Sequence, residues 1–557
     1  MRSTIDGPTV AQQPPPRRSR RRPGSPSPPA TLVTEGTRAR SATDFLKRHL
    51  QSSGPDRLSY LWLAFAIVLL PFATAGWTIA LAAWLFPVFL LRFVRTQPVW
   101  RGNVLVLLAV TAVYALEGVI PFSGAMGMLV AVGMGFLYTL PYLIDRVVVP
   151  RLGGMLGTLV FPLSVTTVWY LDGLFNPTGT WANPAYTQFG NLPLLQLVSV
   201  TGVWGVVVLM SWLASIVNWA WERGFDWPKV RRGAIPYGIL VALVLLFGGV
   251  RIALFPAHGT TVRVAAISPS RAVVAAFDKQ FAQLPENSWQ ALVSGTGTPA
   301  DRQIVHLAAA PVFDELLSRS EQEARAGARI IVWPECTAGI PSLQEDEAAL
   351  LTRASALARA SGIYLEMSQC VLLQQPMQSR YFTDETTLID PTGTVVWHYE
   401  KAHLGASESE MVPGDGNVPV VSTPYGRLSN VICNDAEFPG TVREAGQGGA
   451  DIMLVPSNDP QAIDPYNTQS TTFRAIENGF SEIRGTSYGL SMAVDYEGNV
   501  VAATDYFTTD PQVMVADVPV QGVRTIYATI GDVFAWLSIA GLVVLIGVAT
   551  GRSRVED

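Results

Sequence analysis

Eight apolar runs, each long enough to cross a lipid bilayer, constrain this chain of 557 residues more than any other feature. A transmembrane helix needs about 20 predominantly apolar residues. Only 15% of the residues are charged, against roughly 25% in soluble domains. The chain is therefore predicted to be a polytopic α-helical membrane protein. Its spans are expected at about 58–75, 77–95, 103–121, 124–144, 155–172, 194–219, 234–255 and 533–550.

Positive charge is confined to alternate loops between these spans. The loops near 118–124 and 172–193 contain no Lys or Arg, whereas the loops between them contain Arg92, Arg95, Arg101, Arg146, Arg151, Arg223, Lys229, Arg231 and Arg232. Cationic loops stay on the cytoplasmic side of a membrane. We therefore expect a multi-pass protein of the plasma (inner) membrane, with both termini cytoplasmic and the block from about 257 to 528 extracytoplasmic.

The first 55 residues are rich in Pro, Arg, Ser and Gly and have no apolar periodicity. Such a segment cannot bury enough apolar surface to fold alone, so 1–55 is predicted to be a disordered cytoplasmic tail. We interpret its basic run at 17–22 as a solvated tail near anionic lipid, and a specific docking site remains the alternative. The formal net charge of −5 is small for this length and argues against general nucleic-acid binding.

The remaining chain divides into three predicted domains: a seven-span membrane domain at 56–256, an extracytoplasmic domain at 257–528, and the eighth span with a cytoplasmic tail at 529–557. Within 257–528, amphipathic helices are predicted at 303–327 and 347–361. They alternate with short apolar runs bounded by turn residues, which predict strands at 262–267, 329–333, 362–367, 386–390, 394–399, 428–433, 451–456, 482–486, 491–495 and 500–503. This alternation predicts an α/β domain.

Three residues that can work together in nucleophilic catalysis occur at the ends of predicted strands. Glu335, Lys401 and Cys433 each stand at the end of a predicted strand. A thiol is a weak nucleophile until it loses its proton, and a carboxylate can accept that proton. An ammonium group can stabilise the oxyanion that forms at the attacked carbonyl. Taken singly, each residue has an ordinary structural explanation; their combination favours acyl transfer through a thioester.

The segments that carry these residues resemble a known superfamily. Trp333-Pro334-Glu335, Lys401-x-His403-Leu404 and Ile432-Cys433-x-Asp435 occur in the order of the Glu-Lys-Cys segments of the nitrilase superfamily. Over about 58–550 the chain resembles one membrane-bound branch, the apolipoprotein N-acyltransferase family. The additional segments that carry this resemblance are 186–188, 193–196, 201–205, 455–459, 474–479, 484–487 and 525–532.

The resemblance implies an eight-span (7+1) membrane domain with an inserted extracytoplasmic αββα nitrilase-like sandwich. It also implies a reaction, in which a fatty acyl chain passes from a membrane phospholipid to the α-amino group of a diacylglyceryl-cysteine lipoprotein by a ping-pong route, without a cofactor. Glu335 would be the base, Lys401 the oxyanion stabiliser and Cys433 the acylated nucleophile. The family's second active-site glutamate would be Glu410 or Glu408, and the spacing favours Glu410.

Two features leave alternatives open. Asn434 stands where the family usually has an aromatic residue, and the connection between Lys401 and Cys433 is short. The chain could therefore be a membrane-tethered amidase, an acyltransferase with a different acceptor, or a degenerate homologue that acts as a scaffold. A backbone N–H near Asn434 is expected to assist Lys401, and Asp435 is a weaker supporting candidate.

The chain has three cysteines, Cys336, Cys370 and Cys433. Cys336 is expected to pack in the core, and a Cys336–Cys370 bridge in an oxidising compartment remains the alternative. His306, His398 and His403 lack the spacing of metal ligands, so no metal is expected.

Two further expectations concern the surroundings of the protein. Trp181 and Tyr186 in the outer loop 172–193 are expected to anchor it at the membrane interface. The Arg, Ala and Val content suggests an actinobacterial-type source, where the family is associated with a polyprenyl-phosphate mannose synthase. Such a synthase is a candidate partner of the basic tail.

Overall fold

The computed structural model describes residues 58–73, 77–116, 124–257, 259–405 and 407–556. The predicted tail at 1–55 lies outside the described residues. The predicted domain boundaries stay predictions, whereas the fold class is confirmed: apolar helices precede and follow an α/β domain.

Six helices among the described residues are long and apolar enough to cross a membrane. They begin and end at Val99–Leu116, Gly127–Leu152, Leu156–Phe175, Val203–Glu222, Trp227–Leu254 and Val533–Gly551. The first two predicted spans correspond to shorter helices, Ser59–Leu69 and Ala80–Thr96, of 11 and 17 residues.

The sixth predicted span is the one whose start differs most from the prediction. Residues 192–201 form two short helices, Leu192–Leu195 and Val198–Thr201, and the long helix begins only at Val203. The break is at Gly202, where φ is 62°. This left-handed backbone suits glycine and ends the preceding helix, so the apolar run 194–219 does not form one continuous span.

The α/β domain contains two stacked sheets. One has eight strands, ordered β14-β1-β2-β4-β5-β6 with β3 beside β4 and β7 beside β5; the other has six, ordered β13-β12-β11-β10-β9-β8. The strands are β1 Thr261–Ile267, β2 Ile330–Val332, β3 Pro341–Leu343, β4 Tyr364–Met377, β5 Arg380–Ile389, β6 Val395–Glu400, β7 Met411–Val412, β8 Val420–Thr423, β9 Gly426–Asn430, β10 Ile452–Asn458, β11 Ser481–Ser487, β12 Leu490–Val494, β13 Val500–Asp505 and β14 Val513–Pro519.

Helices cover the outer faces of both sheets and complete an αββα sandwich. Val264 and Leu454 belong to the apolar core between the sheets. A second core joins the eight-stranded sheet to helices Pro299–Arg325 and Gln344–Ser361. Helices Pro439–Gly448 and Tyr466–Asn478 pack on the six-stranded sheet. The remaining helices of this domain are Arg271–Phe281, Glu286–Val293, Cys336–Gly339 and Ile526–Ile530.

Helix Tyr466–Asn478 joins the α/β domain to the membrane helices. Its side chains Tyr466, Phe473 and Ile476 belong to one buried cluster with residues of the membrane helices, Trp204 among them. The two halves therefore share a continuous apolar core.

Candidate active site

Three strand ends bring the predicted triad together. Glu335 follows β2, Lys401 follows β6, and Cys433 opens a short 3₁₀ helix three residues after β9. Glu335 and Lys401 come from the eight-stranded sheet and Cys433 from the other. The cluster therefore forms where the two sheets face each other.

Lys401 lies at the centre of this cluster and is 1% exposed. Its Nζ donates to Glu335 Oε1 at 2.5 Å and to Glu408 Oε1 at 2.7 Å. Asp384 Oδ2, on β5, lies 3.5 Å from the same nitrogen. One buried ammonium group thus faces three carboxyl groups.

The charges of this cluster set the protonation of its members. Burial alone would lower the pKa of Lys401, but Glu335, the Cys433 thiol, Asp384 and Glu408 together raise it well above the usual value. Burial, followed by the charge of Glu335, raises the pKa of Asp384 well above its usual range. At neutral pH we therefore expect a charged Lys401 and a neutral Asp384.

Cys433 is held in a conformation that non-glycine residues rarely adopt, with φ at 41°. Such turns are common at active sites, because the surrounding structure holds them against the strain. Burial and the neighbouring Glu335 raise the pKa of the Cys433 thiol, although Lys401 opposes this shift. The thiol is therefore protonated at rest and needs a base before it can attack.

An ion pair that no sequence prediction had assigned lies beside the thiol. Asp459 Oδ1 is 4.0 Å from Cys433 Sγ. Arg484 Nη2 donates to both oxygens of Asp459, and Asn467 and Thr468 also donate to it. Asp459 and Arg484 both lie in segments that carried the family resemblance. That resemblance was the one feature of the sequence that could have identified them.

Asp435 links the cysteine segment to the lysine segment. Its Oδ1 accepts hydrogen bonds from the backbone N–H groups of Ala402 and His403, and its Oδ2 accepts from Tyr399 and Ile432. Burial raises the pKa of Asp435 to about 6 despite these hydrogen bonds. Asp435 therefore has a positioning role in this geometry.

The structure places Glu408, rather than the preferred Glu410, beside Lys401, so the geometry favours Glu408 as the second active-site glutamate, and its role stays a prediction. Glu408 reaches Lys401 and also accepts a hydrogen bond from the N–H of Gly405 at 2.6 Å. Glu410 is held by Ser409 at 3.4 Å instead. A turn at Glu408 explains the difference, because the N–H of Met411 bonds to the carbonyl of Glu408 and directs the next residues towards β5.

The expectation that Cys336 simply packs in the core was wrong. Cys336 forms a disulfide with Cys370, the alternative that had been kept open. The bond ties the residue directly after Glu335 to strand β4. Pro341 of β3 pairs with Cys370 in the sheet, so the segment after Glu335 is attached to β4 at two points, the disulfide and this strand pairing.

Two groups of side chains among the described residues could hold a metal ion. The first, Cys336, Cys370 and Asp384, contains the disulfide. The second, Glu385, His398 and Glu400, lies on the opposite face of β5 from Asp384, because successive residues of a strand alternate. Neither group includes the Cys433 thiol.

The outer loop of the membrane domain contacts the nucleophile's segment directly. Asn434 Nδ2 donates to the carbonyls of Pro177 and His403, both at 3.1 Å. Thr180 donates to the carbonyl of Glu437 through its N–H and its hydroxyl, each at 2.8 Å. The cysteine turn is therefore fixed to the end of the membrane domain.

Tyr186 does not act as the expected interface anchor. It is 2% exposed, stacks edge-on against Phe473 and accepts a hydrogen bond from Arg474 Nη2 at 2.7 Å. Trp181 packs edge-on against Tyr466. Both aromatic residues join the loop to the catalytic domain, because that domain covers the loop.

Comparisons with known proteins agree with this architecture. Residues 297–528 match the carbon-nitrogen hydrolase family. An apolipoprotein N-acyltransferase of Geobacter metallireducens is 26% identical over 84% of this chain and 88% of its own length. Apolipoprotein N-acyltransferase 2 of Treponema pallidum is 25% identical over 71% of this chain and 76% of its own.

Similarity to amidases covers less of the chain. The deaminated glutathione amidase of Rattus norvegicus is 30% identical over 28% of this chain and 54% of its own length. An amidase structure from Nesterenkonia sp. is 22% identical over 47% of this chain and 92% of its own, with a TM-score of 0.33.

Proposed function

We propose a specific acyl transfer on the premise that this chain belongs to the nitrilase superfamily and is related over most of its length to apolipoprotein N-acyltransferases. The donor is a membrane phospholipid, and the acceptor is the N-terminal α-amino group of a diacylglyceryl-cysteine lipoprotein. The reaction takes place at the outer face of the plasma membrane. Cys433 carries the acyl group between donor and acceptor.

One observation carries this proposal. Glu335, Lys401 and the Cys433 thiol interact in one buried cluster, and the turn that holds the thiol contacts the outer loop of the membrane domain. A lipid ester at the membrane surface can therefore reach a thiol that has both a base and a cation beside it. A soluble amide substrate would not require this contact with the membrane domain.

In the first half of the reaction, Glu335 accepts the proton of the Cys433 thiol, whose raised pKa makes such a base necessary. The thiolate attacks the ester carbonyl of the phospholipid. Lys401 Nζ and a backbone N–H near Asn434 stabilise the oxyanion. Glu335 returns the proton to the leaving alkoxide as the ester C–O bond breaks, which leaves a lysophospholipid and an acyl-cysteine thioester.

In the second half, the lipoprotein amine attacks the thioester carbonyl and Glu335 accepts the amine proton. The C–S bond breaks, the amide forms, and the proton passes to the cysteine sulfur. The thiol is regenerated, so the two half-reactions together need no cofactor. A ping-pong order follows because the lysophospholipid must leave before the amine can enter.

Trapping the acyl-enzyme tests this proposal. Purified protein incubated with phospholipid and no acceptor is expected to carry a fatty acyl mass on the Cys433 peptide, removable by neutral hydroxylamine. Cys433→Ala should carry none. A diacylglyceryl-cysteine peptide, added afterwards, should gain the acyl group as the enzyme loses it.

The measurement with the diacylglyceryl-cysteine peptide distinguishes the leading proposal from the alternatives. The similarity to amidases of the superfamily favours a membrane-tethered amidase as the second candidate. An acyl-enzyme that is hydrolysed but never acylates an amine would support that candidate. The absence of any adduct on wild-type protein, with phospholipid and with a simple fatty acyl amide offered in turn, would argue against both enzymes and favour the scaffold.

A further inference from the structure

A cleft rich in arginine lies in the membrane domain, away from the candidate active site. Its volume is about 310 Å³. Four arginines line it, together with two carboxylates and the apolar side chains of Val149, Pro150 and Trp219; the charged residues are Arg92, Arg95, Arg146, Arg223, Asp145 and Glu222. The lining therefore has a formal charge of about +2, since arginine stays protonated in proteins.

The cleft lies at the end of the membrane domain opposite the catalytic domain. Helix Val203–Glu222 defines the direction: the N–H of Val203 bonds to Glu477 of the catalytic domain, whereas Glu222 lines the cleft. A helix of 20 residues is about 30 Å long. The cleft and the Cys433 site therefore face opposite leaflets.

One of the four arginines is fully occupied by the two carboxylates. Arg95 makes a bidentate pair with Asp145 at 2.7 and 2.8 Å and a third bond to Glu222 at 3.1 Å. This fixed ion pair joins three helices and forms one wall of the cleft. Both carboxylates that line the cleft, those of Asp145 and Glu222, are therefore paired with Arg95.

Two other arginines keep donors available. Arg146 donates to the carbonyl of Gln97 at 3.0 Å, and its Nε has no hydrogen-bond partner among the described residues. Arg223 donates to the carbonyl of Trp219 and stacks over that ring at 4.3 Å. In the described part of the chain, neither guanidinium has a carboxylate within 4 Å, so each can bind an anion.

We propose that this cleft binds the phosphate group of an anionic phospholipid from the leaflet opposite the catalytic domain. Arg146 and Arg223 bind the phosphate, because guanidinium groups match phosphate oxygens in geometry and charge. Val149, Pro150 and Trp219 contact the glycerol and the first carbons of the chains. Basic pockets between transmembrane helices commonly bind such headgroups.

Lipid retention by the full-length protein tests the proposal. The protein carries Cys433→Ala so that lipid is not consumed, and bound phosphatidylglycerol or phosphatidylcholine is counted by native mass spectrometry during titration. We expect preferential retention of phosphatidylglycerol, with an affinity at least about a hundredfold lower in Arg146→Gln/Arg223→Gln because two charge-assisted bonds are lost. The matched control, Lys229→Gln/Arg232→Gln, removes two exposed charges from the first turns of helix Trp227–Leu254, close in sequence to Arg223, and should bind as before.

A competition measurement identifies the source of the bound phosphate, and a charge-conserving variant checks that the substituted protein folds. Inorganic phosphate at millimolar concentration should compete only weakly, because it lacks the apolar contacts. Arg146→Lys/Arg223→Lys, which keeps the charge, should recover most of the binding and elute as a single species. Equal retention of both lipids, equal loss in the control variant, or binding of inorganic phosphate without phosphatidylglycerol would overturn the proposal.

Discussion

At the scale of single residues, Glu408 has the most specific role outside the triad. It binds Lys401 at 2.7 Å and Gly405 at 2.6 Å, so it fixes the ammonium group between two carboxylates. Glu408→Gln removes one charge-assisted bond to the lysine. We expect acylation of Cys433 to slow by about 10- to 150-fold, since such a bond contributes about 1.5–3 kcal/mol.

The matched control for Glu408→Gln is Glu410→Gln, two residues along the same loop. Among the described residues, the side chain of Glu410 accepts one hydrogen bond, from Ser409, and makes none with Lys401. Its rate of Cys433 acylation, measured by mass spectrometry of the Cys433 peptide, should stay within about twofold of wild type. Equal effects of the two substitutions would contradict the assignment of Glu408.

The raised pKa of Glu437 predicts how the free energy of unfolding changes with pH. Burial raises its pKa from an ordinary 4.5 to about 7, although Ser470 donates a hydrogen bond to it and opposes the shift. A carboxyl with a raised folded-state pKa stabilises the fold below its unfolded pKa, and this contribution is lost as pH rises through 7. Between pH 6 and pH 8 the loss is about 1 kcal/mol.

Glu437→Gln keeps an oxygen for the Ser470 hydrogen bond and removes the titration. The Tm of this variant should fall less than that of wild type between pH 6 and pH 8, when both are measured in detergent. Glu444→Gln, an exposed change on the adjacent helix, should follow wild type. Parallel slopes for all three proteins would show that Glu437 does not titrate in this range.

At the scale of elements, the disulfide fixes the segment that carries Glu335. Cys336 is bonded to Cys370 of β4, so thermal motion of the turn after Glu335 is restricted at its first residue. Cys370→Ser should lower the Tm, since a disulfide contributes about 2–4 kcal/mol. Adding reductant should lower the Tm of wild type and the Tm of Cys433→Ala by the same amount.

Thiol counting provides an independent measurement of that bond. Denatured wild-type protein should react with one maleimide at Cys433 without reductant and with three after reduction. Three reactive thiols before reduction would contradict the disulfide. The Tm of Cys370→Ser should not respond to reductant.

Gly202 marks the point where the sixth apolar run breaks. Its φ of 62° and ψ of −171° lie in a region that only glycine adopts easily, and a Cβ there would lie 2.6 Å from the Tyr527 ring. Gly202→Ala should therefore destabilise the protein by about 1–3 kcal/mol, seen as a lower Tm. Gly440→Ala, where a Cβ meets no atom within 4 Å, should be neutral.

Periodicity predicted most elements of the α/β domain to within a few residues, because its strands and helices alternate clearly in the sequence. It overextended the sixth span, because residues 194–201 are as apolar as the helix that follows and hydropathy does not register a change of backbone direction. It missed β14, whose pairing with β1 joins positions about 250 residues apart, and no local pattern predicts such a partner. Glu335, Lys401 and Cys433 were predicted together because each stands at the end of a predicted strand and their segments occur in the order of the nitrilase superfamily. Asp384 was not predicted as a site residue. It is a polar residue inside β5, and the sequence does not indicate its role until its neighbours in space are known.

At the scale of the whole molecule, hydrogen bonds join the membrane domain to the catalytic domain at several separate points. The N–H of Val203 donates to Glu477 Oε1 at 3.1 Å, and Gln196 Nε2 donates to the carbonyl of Glu497 at 2.9 Å. Each bond connects segments about 300 residues apart in the chain. The candidate active site is therefore held against one end of the membrane domain, as the proposed reaction on a membrane lipid requires.

The opposite end of the membrane domain carries the cationic loops. Arg92 and Arg146 lie in helices Ala80–Thr96 and Gly127–Leu152, and Arg223 directly follows helix Val203–Glu222. All three line the same cleft, so these cationic helix ends meet at one face. Because Lys and Arg favour the cytoplasmic side, we propose that this face is cytoplasmic and that the catalytic domain is extracytoplasmic.

Cysteine accessibility on intact spheroplasts tests this orientation. In a Cys433→Ala background, Arg325→Cys introduces a thiol in the catalytic domain and Lys229→Cys introduces one in the cationic loop; the native side chains are 74% and 66% exposed. A membrane-impermeant maleimide should label Arg325→Cys directly and Lys229→Cys only after permeabilisation, because the bilayer separates the two positions. The Cys433→Ala parent, whose other cysteines form the disulfide, controls for background labelling. Direct labelling of Lys229→Cys together with protection of Arg325→Cys would reverse the orientation and exclude a reaction at the outer face.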